Sequence, residues 1–275
     1  MTENNPLARP TARADSRLLP LSAAVITLNE ERNLKRCLDS VRELAAEIVV
    51  IDSGSTDRTG AIARECGAIF EVQPWQGHVA QKNVALKRCS QPWILCLDAD
   101  EALSPELAGS MRALFASGEP ALNGYWVNRR TFYLGDWIRH AWYPEWRVRL
   151  VRRNHAEWRG LDPHDKLEAD GATARLDGDL LHYPPFASVH DHVQSTIAHA
   201  RVMARSYARA GRRCHWYHLL LSPWAALLKT YVFKQGWRDG WRGLTIACVT
   251  LLGTMVKYAF LLEAQQTERS DPNAP

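Results

Sequence analysis

The chain has 275 residues, 46% of them hydrophobic, and a formal net charge of only +4. That is long and apolar enough for one large α/β domain with appended elements, and it excludes the disordered and fibrous classes. The six cysteines are scattered, with no Cys-x-x-Cys pair, and read as reduced core thiols of a reducing compartment.

Residues 1–20 carry Pro6, Pro10 and Pro20 and lack the apolar core of a secretory signal, so they are expected to form a disordered leader. Ser22 to Leu28 then reads as a short apolar strand, followed by helical spacing at Leu34, Cys37, Leu38, Val41 and Leu44. Glu47 to Asp52 repeats the strand, Thr56 to Cys66 the helix, Ala68 to Val72 a third strand and His78 to Arg88 a third helix. Trp93 to Asp98 closes the series as an apolar run that ends abruptly in acids. Strands alternating with such helices predict a parallel sheet with right-handed crossovers. From Tyr125 the pattern changes. Trp126 to Leu134 and Arg147 to Arg153 alternate polar and apolar residues and suit mixed-sheet strands. Val189 to Gln266 is helical again, with breaks expected at Gly211, Pro223, Gly236 and Gly240. The predicted organisation is a domain over 21–187, a helical region over 188–266 and a disordered tail over 267–275.

The chemistry is concentrated where strands end. Asp98 and Asp100 are separated by one small residue, so in extended chain both carboxylates face the same way and suit a hard cation and the diphosphate it holds. Asp52 ends another strand, and Thr27 with Glu30 and Glu31 follows the first. In open parallel sheets, ligands gather beyond the carboxyl ends of strands, which would bring these groups to one rim. Like charges repel, so such a rim calls for a bound cation or a hydrogen-bonding ligand. Ser55, Thr56 and Asp57 have a plainer reading as caps of the following helix. There is no Gly-x-Gly-x-x-Gly after the first strand and no phosphate-binding loop, so side chains and metal must meet any phosphate charge.

Taken in order, Thr27-Leu-Asn-Glu-Glu31, Asp52-Ser-Gly-Ser-Thr-Asp57, Gln81-Lys-Asn83 and Leu97-Asp-Ala-Asp-Glu101 resemble the nucleotide-sugar-binding half of family 2 glycosyltransferases of the GT-A fold. The resemblance covers residues 22 to about 185, and the tail is similar to the branch that builds lipopolysaccharide inner core. It implies an α/β fold of GT-A type with a mostly parallel central sheet and C-terminal amphipathic helices. It also implies a nucleotide-sugar site in which Asp52 meets the base, with Thr27 and Glu30 in the same pocket. Lys82 would approach the nucleotide or diphosphate, Asp98 would touch ribose or metal, and Asp100 would ligate Mg²⁺ or Mn²⁺. A solvated helix lysine is an equally good reading of Lys82.

An inverting sugar transfer needs a carboxylate to take the proton of the acceptor hydroxyl. Gly160-Leu-Asp162-Pro-His164-Asp165-Lys166 offers one, with His164-Asp165 where the branch has His-Glu. Asp165 is the first choice for this base and Asp162 the reserve, with His164 a third member of the metal shell or an orienting group. Of the 11 tryptophans, Trp142, Trp146 and Trp158 flank the base and suit a sugar face, while Trp93 and Trp126 are expected in the core.

Between Thr196 and Glu263, ten lysines and arginines face only Asp239 and Glu263. Arg201, Arg205 and Arg209 fall on one helix face, where an anionic membrane surface attracts basic side chains. The apolar stripe from Leu244 to Leu262 suits an interfacial amphipathic helix better than a span. A nucleic-acid partner is not expected, because the acidic rim would repel a phosphate backbone. The resulting expectation is a metal-dependent enzyme that moves a hexose, with glucose the first choice, from a UDP-sugar to a membrane glycolipid acceptor at the cytoplasmic face of the inner membrane. Two rival readings are a transferase acting on polyprenyl phosphate and a catalytically silent nucleotide-sugar-binding scaffold.

Overall fold

The structure, a computed structural model, describes residues 18–161 and 164–270. Its first half is the expected alternation: β1 (Leu19–Thr27), α1 (Leu34–Val41), β2 (Ala45–Asp52), α2 (Thr59–Glu65), β3 (Ile69–Val72), α3 (His78–Arg88) and β4 (Trp93–Asp98). These strands lie in the order β3-β2-β1-β4 and are all parallel. Their residues alternate between two cores, as side-chain alternation along a strand requires. Ala23, Val25, Val50, Leu95 and Leu97 face α1, which answers with Leu34, Cys37, Leu38 and Val41. Ala24, Val49, Ile51, Ile94 and Cys96 face α3 through Ala85 and Leu86.

The sheet continues with β5 (Glu101–Leu103), then α4 (Pro105–Ala116), β6 (Gly124–Tyr133), β7 (Asp136–Trp137), β8 (Trp146–Arg152) and β11 (Thr173–His182). The full order is β3-β2-β1-β4-β8-β6-β11-β5, with β7 on β6. Here the sheet is mixed: β8 runs antiparallel between β4 and β6, and β11 runs parallel to β6. The start of α4 is set by Ser104, whose Oγ accepts from Leu107 N at 3.1 Å, with Pro105 in the first turn. Gly178, at φ +94°, passes beside this start; a Cβ there would lie 2.3 Å from Leu107 N. A separate hairpin of β9 (Ala156–Leu161) and β10 (His164–Ala169) folds over the sheet face beside α3, with Trp158 and Leu167 packed among Val148, Val151, Ala85 and Leu86.

The helical region comprises α5 (Val189–Arg209), α6 (Trp216–Leu228), a π-helical turn (Lys229–Phe233), a 3₁₀ turn (Gly236–Asp239) and α7 (Gly240–Ser270). Several bounds differ from expectation. Strand β1 takes in Leu19 and Pro20, expected in the leader, because Leu19 N bonds Leu44 O at 2.8 Å; the expected leader's residues 1–17 lie outside the described residues. Helix α7 runs through residues 267–270, expected in the tail. Pro223 does not break α6 but sits buried inside it, and the irregularity comes one turn later as the π-helical segment. Four of the six free thiols, Cys37, Cys89, Cys96 and Cys214, are buried, whereas Cys248 is exposed.

Candidate active site

Register brings the strand-end groups level. Across the parallel ladders, Thr27 pairs with Asp52 and Ile26 with Asp98, so β1, β2 and β4 finish on one rim. Beyond it opens a cavity of about 1570 Å³ lined by Thr27, Glu30, Lys82, Asp98, Asp100 and Asp165 among others.

Asp52 is buried and does not line this cavity. Its carboxylate accepts from Thr27 Oγ1 at 2.9 Å, Gly54 N at 2.9 Å, Ser55 N at 2.7 Å and the Ser55 hydroxyl. Four donors fill the acceptor capacity of a carboxylate. Asp52 therefore builds the turn after β2, and a base contact would have to displace one of these bonds. Asp57 takes the expected place at the start of α2, its Oδ1 accepting from Thr59 N at 2.9 Å, whereas Ser55 and Thr56 do not cap that helix; all three tie this turn to the one after β1. Ser55 Oγ accepts from Asn29 N at 2.7 Å, Thr56 N donates to Asn29 Oδ1 at 2.9 Å and Asp57 Oδ2 accepts from Glu31 N at 3.1 Å. Glu30 lines the cavity with its carboxyl pushed up by burial, against an Asn33 hydrogen bond that favours the charge.

Asp98 is held from both sides. Lys82 Nζ lies 2.9 Å from its Oδ1 and Arg149 Nη2 2.8 Å from its Oδ2. Burial works against this charge, but the two cations overcome it and keep the carboxyl well below the usual range. Arg149 also reaches Glu101 Oε1 at 2.6 Å, and Glu101 Oε2 accepts from Asp98 N at 3.0 Å. Most of the acidic conflict expected at this rim is thus relieved by buried cations, while Asp98, with one cation on each oxygen, still lines the cavity and keeps a second lone pair on each for a ligand. Lys82 is not a solvated helix lysine either. It is buried, its Nζ lies 2.8 Å from Asp165 Oδ2 and 4.4 Å from the Trp158 ring, and it bridges two acids. Burial disfavours its charge, yet Asp98 and Asp165 raise its pKa.

Asp100 stands apart from this network. No lysine or arginine among the described residues pairs with it; its Oδ2 faces His182 Nε2 at 3.3 Å. His182 ends β11 as Asp98 ends β4, and Thr131 Oγ1 bonds its Nδ1 at 3.1 Å, which turns Nε2 toward Asp100. Among the described residues no three His, Cys, Asp or Glu side chains form a closed cation cage. One carboxylate and one imidazole at the cavity wall would fit a divalent ion that keeps waters and takes its other oxygens from a ligand. The side chain of His164 and all of Asp162 lie outside the described residues.

Sequence reading missed Arg149, His182 and Arg129, the last 2.9 Å from Glu145. His182 carried a usable signal, since Asp179-Leu-Leu-His182 is an apolar run ending in a metal-competent side chain, the same strand-end rule that singled out Asp98. The tryptophans divide differently from expectation. Trp93 is buried, but Trp126 lines the cavity with Nε1 bonded to Thr173 Oγ1 at 2.8 Å; Trp146 and Trp158 also line it, while Trp142 packs on Tyr133 and His192.

Residues 22–185 match the sequence model of glycosyl transferase family 2, and the chain belongs to that family. The curated relatives it resembles include the lipopolysaccharide core biosynthesis glycosyltransferase LpsC of Rhizobium meliloti, 34% identical over 91% of this chain and 93% of that protein. The uncharacterized glycosyltransferase RT0209 of Rickettsia typhi is 27% identical over 91% and 89%. Among solved structures, S. aureus TarS 1-349 in complex with UDP-GlcNAc aligns over 91% of both chains at 14% identity and a TM-score of 0.47. Mannosyltransferase PcManGT from Pyrobaculum calidifontis, in complex with GDP-Man and Mn²⁺, aligns over 94% and 89% at 16% identity and a TM-score of 0.46. The protein is a glycosyltransferase with the α/β, GT-A-type architecture of its family.

Proposed function

We propose that this glycosyltransferase transfers a hexose, with inversion, from a UDP-sugar to a membrane glycolipid acceptor, lipopolysaccharide core, at the cytoplasmic face of the inner membrane. The acceptor follows the printed function of the relative LpsC. The chemistry rests on one observation: Asp100 with His182 forms one pole of the cavity and the Lys82–Asp165 pair another.

Asp100 and His182 would hold Mg²⁺ or Mn²⁺ together with the donor diphosphate. When bound, that ion supplies positive charge against the departing phosphate. Asp165 acts as base: it takes the acceptor proton as the hydroxyl oxygen bonds to the anomeric carbon. The bond from that carbon to the diphosphate oxygen breaks, and the diphosphate leaves with the electron pair. In the free enzyme Asp165 Oδ2 lies 2.8 Å from Lys82 Nζ and must leave that contact to meet an acceptor hydroxyl. A donor diphosphate offers Lys82 a second anion, so donor binding releases Asp165 and makes the donor the first substrate to bind. Trp146, on the same cavity, offers an apolar surface to a sugar ring, while Trp158 is buried beneath Lys82 and backs that lysine.

A thermal-shift series with UDP and UDP-sugars tests the donor and metal assignments, because a ligand that binds only the native state raises its stability. The expected result is stabilisation by UDP that deepens with Mn²⁺, with Asp100→Asn removing the metal-dependent part. An undiminished Mn²⁺ effect in that variant would take Asp100 out of the metal site.

A further inference from the structure

The helical region exposes an apolar surface unlike the rest of the molecule. On α6, Trp216, Tyr217, Leu220, Leu221, Trp224 and Leu228 recur at helical spacing and are all exposed, Trp216 by 71% and Leu221 by 64%. The opposite side of α6 is turned inward, with Pro223 buried and Leu219 packed near Cys214 and Leu261. The surface continues around the reversal into α7: Phe233 is 80% exposed, and Trp237, Trp241 and Leu244 follow it into solvent. The reversal is fixed by glycines, since a Cβ on Gly243 would fall 1.8 Å from Gly236 O and one on Gly236 2.7 Å from Thr230 O. Asp239 anchors the reversal to the body, accepting from the backbone N of His140 at 3.1 Å and Ala141 at 2.8 Å.

Contiguous exposed apolar area on this scale marks an interaction surface. Its composition points to one partner. Tryptophans are enriched where one end of a side chain is apolar and the other wet, the condition at a membrane–water boundary. The cations Lys229, Lys234 and Arg238 are exposed among these residues. From residue 210 to residue 262 the one acid is Asp239, which is spent inside on His140. An apolar segment interleaved with cations, whose one neighbouring exposed acid, Asp136, is paired with Arg242, complements an anionic bilayer rather than a protein interface, where lysine is depleted.

We infer that α6 and the reversal into α7 form an interfacial membrane-docking surface that inserts its tryptophans and Phe233 among lipid headgroups and upper acyl chains. The segment Gly236–Thr267 is long and apolar enough to cross a membrane by length and composition. Ile246, Ala247, Val249 and Leu261 are nevertheless buried against the body, so α7 lies along the protein and docks by its outer face. The inference rests on the membrane-acceptor reading and gives it a geometry. Helix α5 lends Ser195 and His199 to the cavity wall and packs against α7, with Thr196 Cγ2 2.5 Å from where a Cβ of Gly253 would stand. The docked surface is therefore joined through α7 and α5 to one wall of the cavity, which turns that side of the site toward the bilayer.

The test is flotation of the full chain with phosphatidylethanolamine–phosphatidylglycerol vesicles, together with quenching of tryptophan emission by brominated acyl chains. Wild type is expected to float and to be quenched. Trp224→Glu with Phe233→Glu should lower the vesicle-bound fraction about tenfold or more while leaving the UDP-induced thermal shift unchanged, which shows an intact fold and donor site. Replacing Lys229, Lys234 and Arg238 by Gln should weaken binding to anionic vesicles and leave binding to phosphatidylcholine vesicles unaltered. Flotation of the Glu variant at the wild-type level overturns the inference, as does a wild type that ignores vesicles and forms a dimer dissolved by Phe233→Glu. Because flotation needs no turnover, a failed donor assignment leaves this result standing, and the reverse holds as well.

Discussion

Arg149 offers the sharpest test of how the site is held together. It is buried, and one guanidinium nitrogen reaches both Asp98 Oδ2 at 2.8 Å and Glu101 Oε1 at 2.6 Å. At an effective dielectric near 20, Coulomb attraction at these distances is about 6 kcal/mol gross per contact. Desolvation of the ions offsets much of this, and breaking a buried pair by removing one partner costs roughly 3–5 kcal/mol, because the stranded charge remains. Arg149→Met conserves much of the apolar volume and removes the charge. At about 2–4 °C per kcal/mol for a chain of this size, the melting temperature should fall by about 6–20 °C. Asp98 keeps Lys82, so adding Glu101→Gln withdraws the carboxylate left with only the longer 3.5 Å contact to Arg129 while keeping an acceptor for Asp98 N. The double variant should then regain about 1 kcal/mol or more, measured by urea and thermal unfolding at neutral pH. A single variant within about 1 kcal/mol of wild type, or a double variant worse than the single, would refute the account of Asp98 as a carboxylate locked by buried cations.

Asp165→Asn should lower kcat by about 10²- to 10⁴-fold, the range for loss of a general base, with UDP affinity changed by no more than about threefold; wild-type turnover would remove Asp165 as the base. Lys82→Met should weaken UDP binding in calorimetry, because it takes away the buried cation nearest Asp98 and Asp165, and unchanged affinity would return Lys82 to a structural role. Stability should fall with acid in two windows. Burial lowers His192 to about 4, so from pH 6.5 down to 4 the unfolded chain binds a proton that the native state refuses, costing up to about 3 kcal/mol. Burial would raise Glu145, but Arg129 and Arg147 bring it to about 2, so its contribution of about 3 kcal/mol is lost as pH falls from 4.5 toward 2. Denaturant titrations across pH should show both limbs, with His192→Gln flattening the first and Glu145→Gln the second.

The residues themselves determined the first half of the sheet and the rim it presents. Short apolar runs ending in Thr27, Asp52 and Asp98 specify strands buried on both faces, and between helices of this length such strands can only pair in parallel with their carboxyl ends together. The four motifs that resemble family 2 glycosyltransferases lie within this half, where each element is next in sequence to the one it packs on. Partners supplied from a distance were decided by the tertiary structure. Lys82 and Asp165 are 83 residues apart, and their pairing depends on where the β9–β10 hairpin folds over the sheet face beside α3, which no local periodicity encodes. Arg149 looked like one of several arginines in an alternating strand; only the antiparallel insertion of β8, which sets Leu150 opposite Leu95, lays it beside Asp98 and Glu101. His182 meets Asp100 because β11 joins β6 and β5 far from β4 in the chain. The same holds for the C-terminal helices: hydropathy located the apolar stretch, but which side of it faces solvent was settled by packing of α7 on α5 and α6. Local sequence fixes the period of an element and the groups at its ends, whereas long-range register chooses the counter-charges, and at this site those charges govern which carboxylates remain available for chemistry.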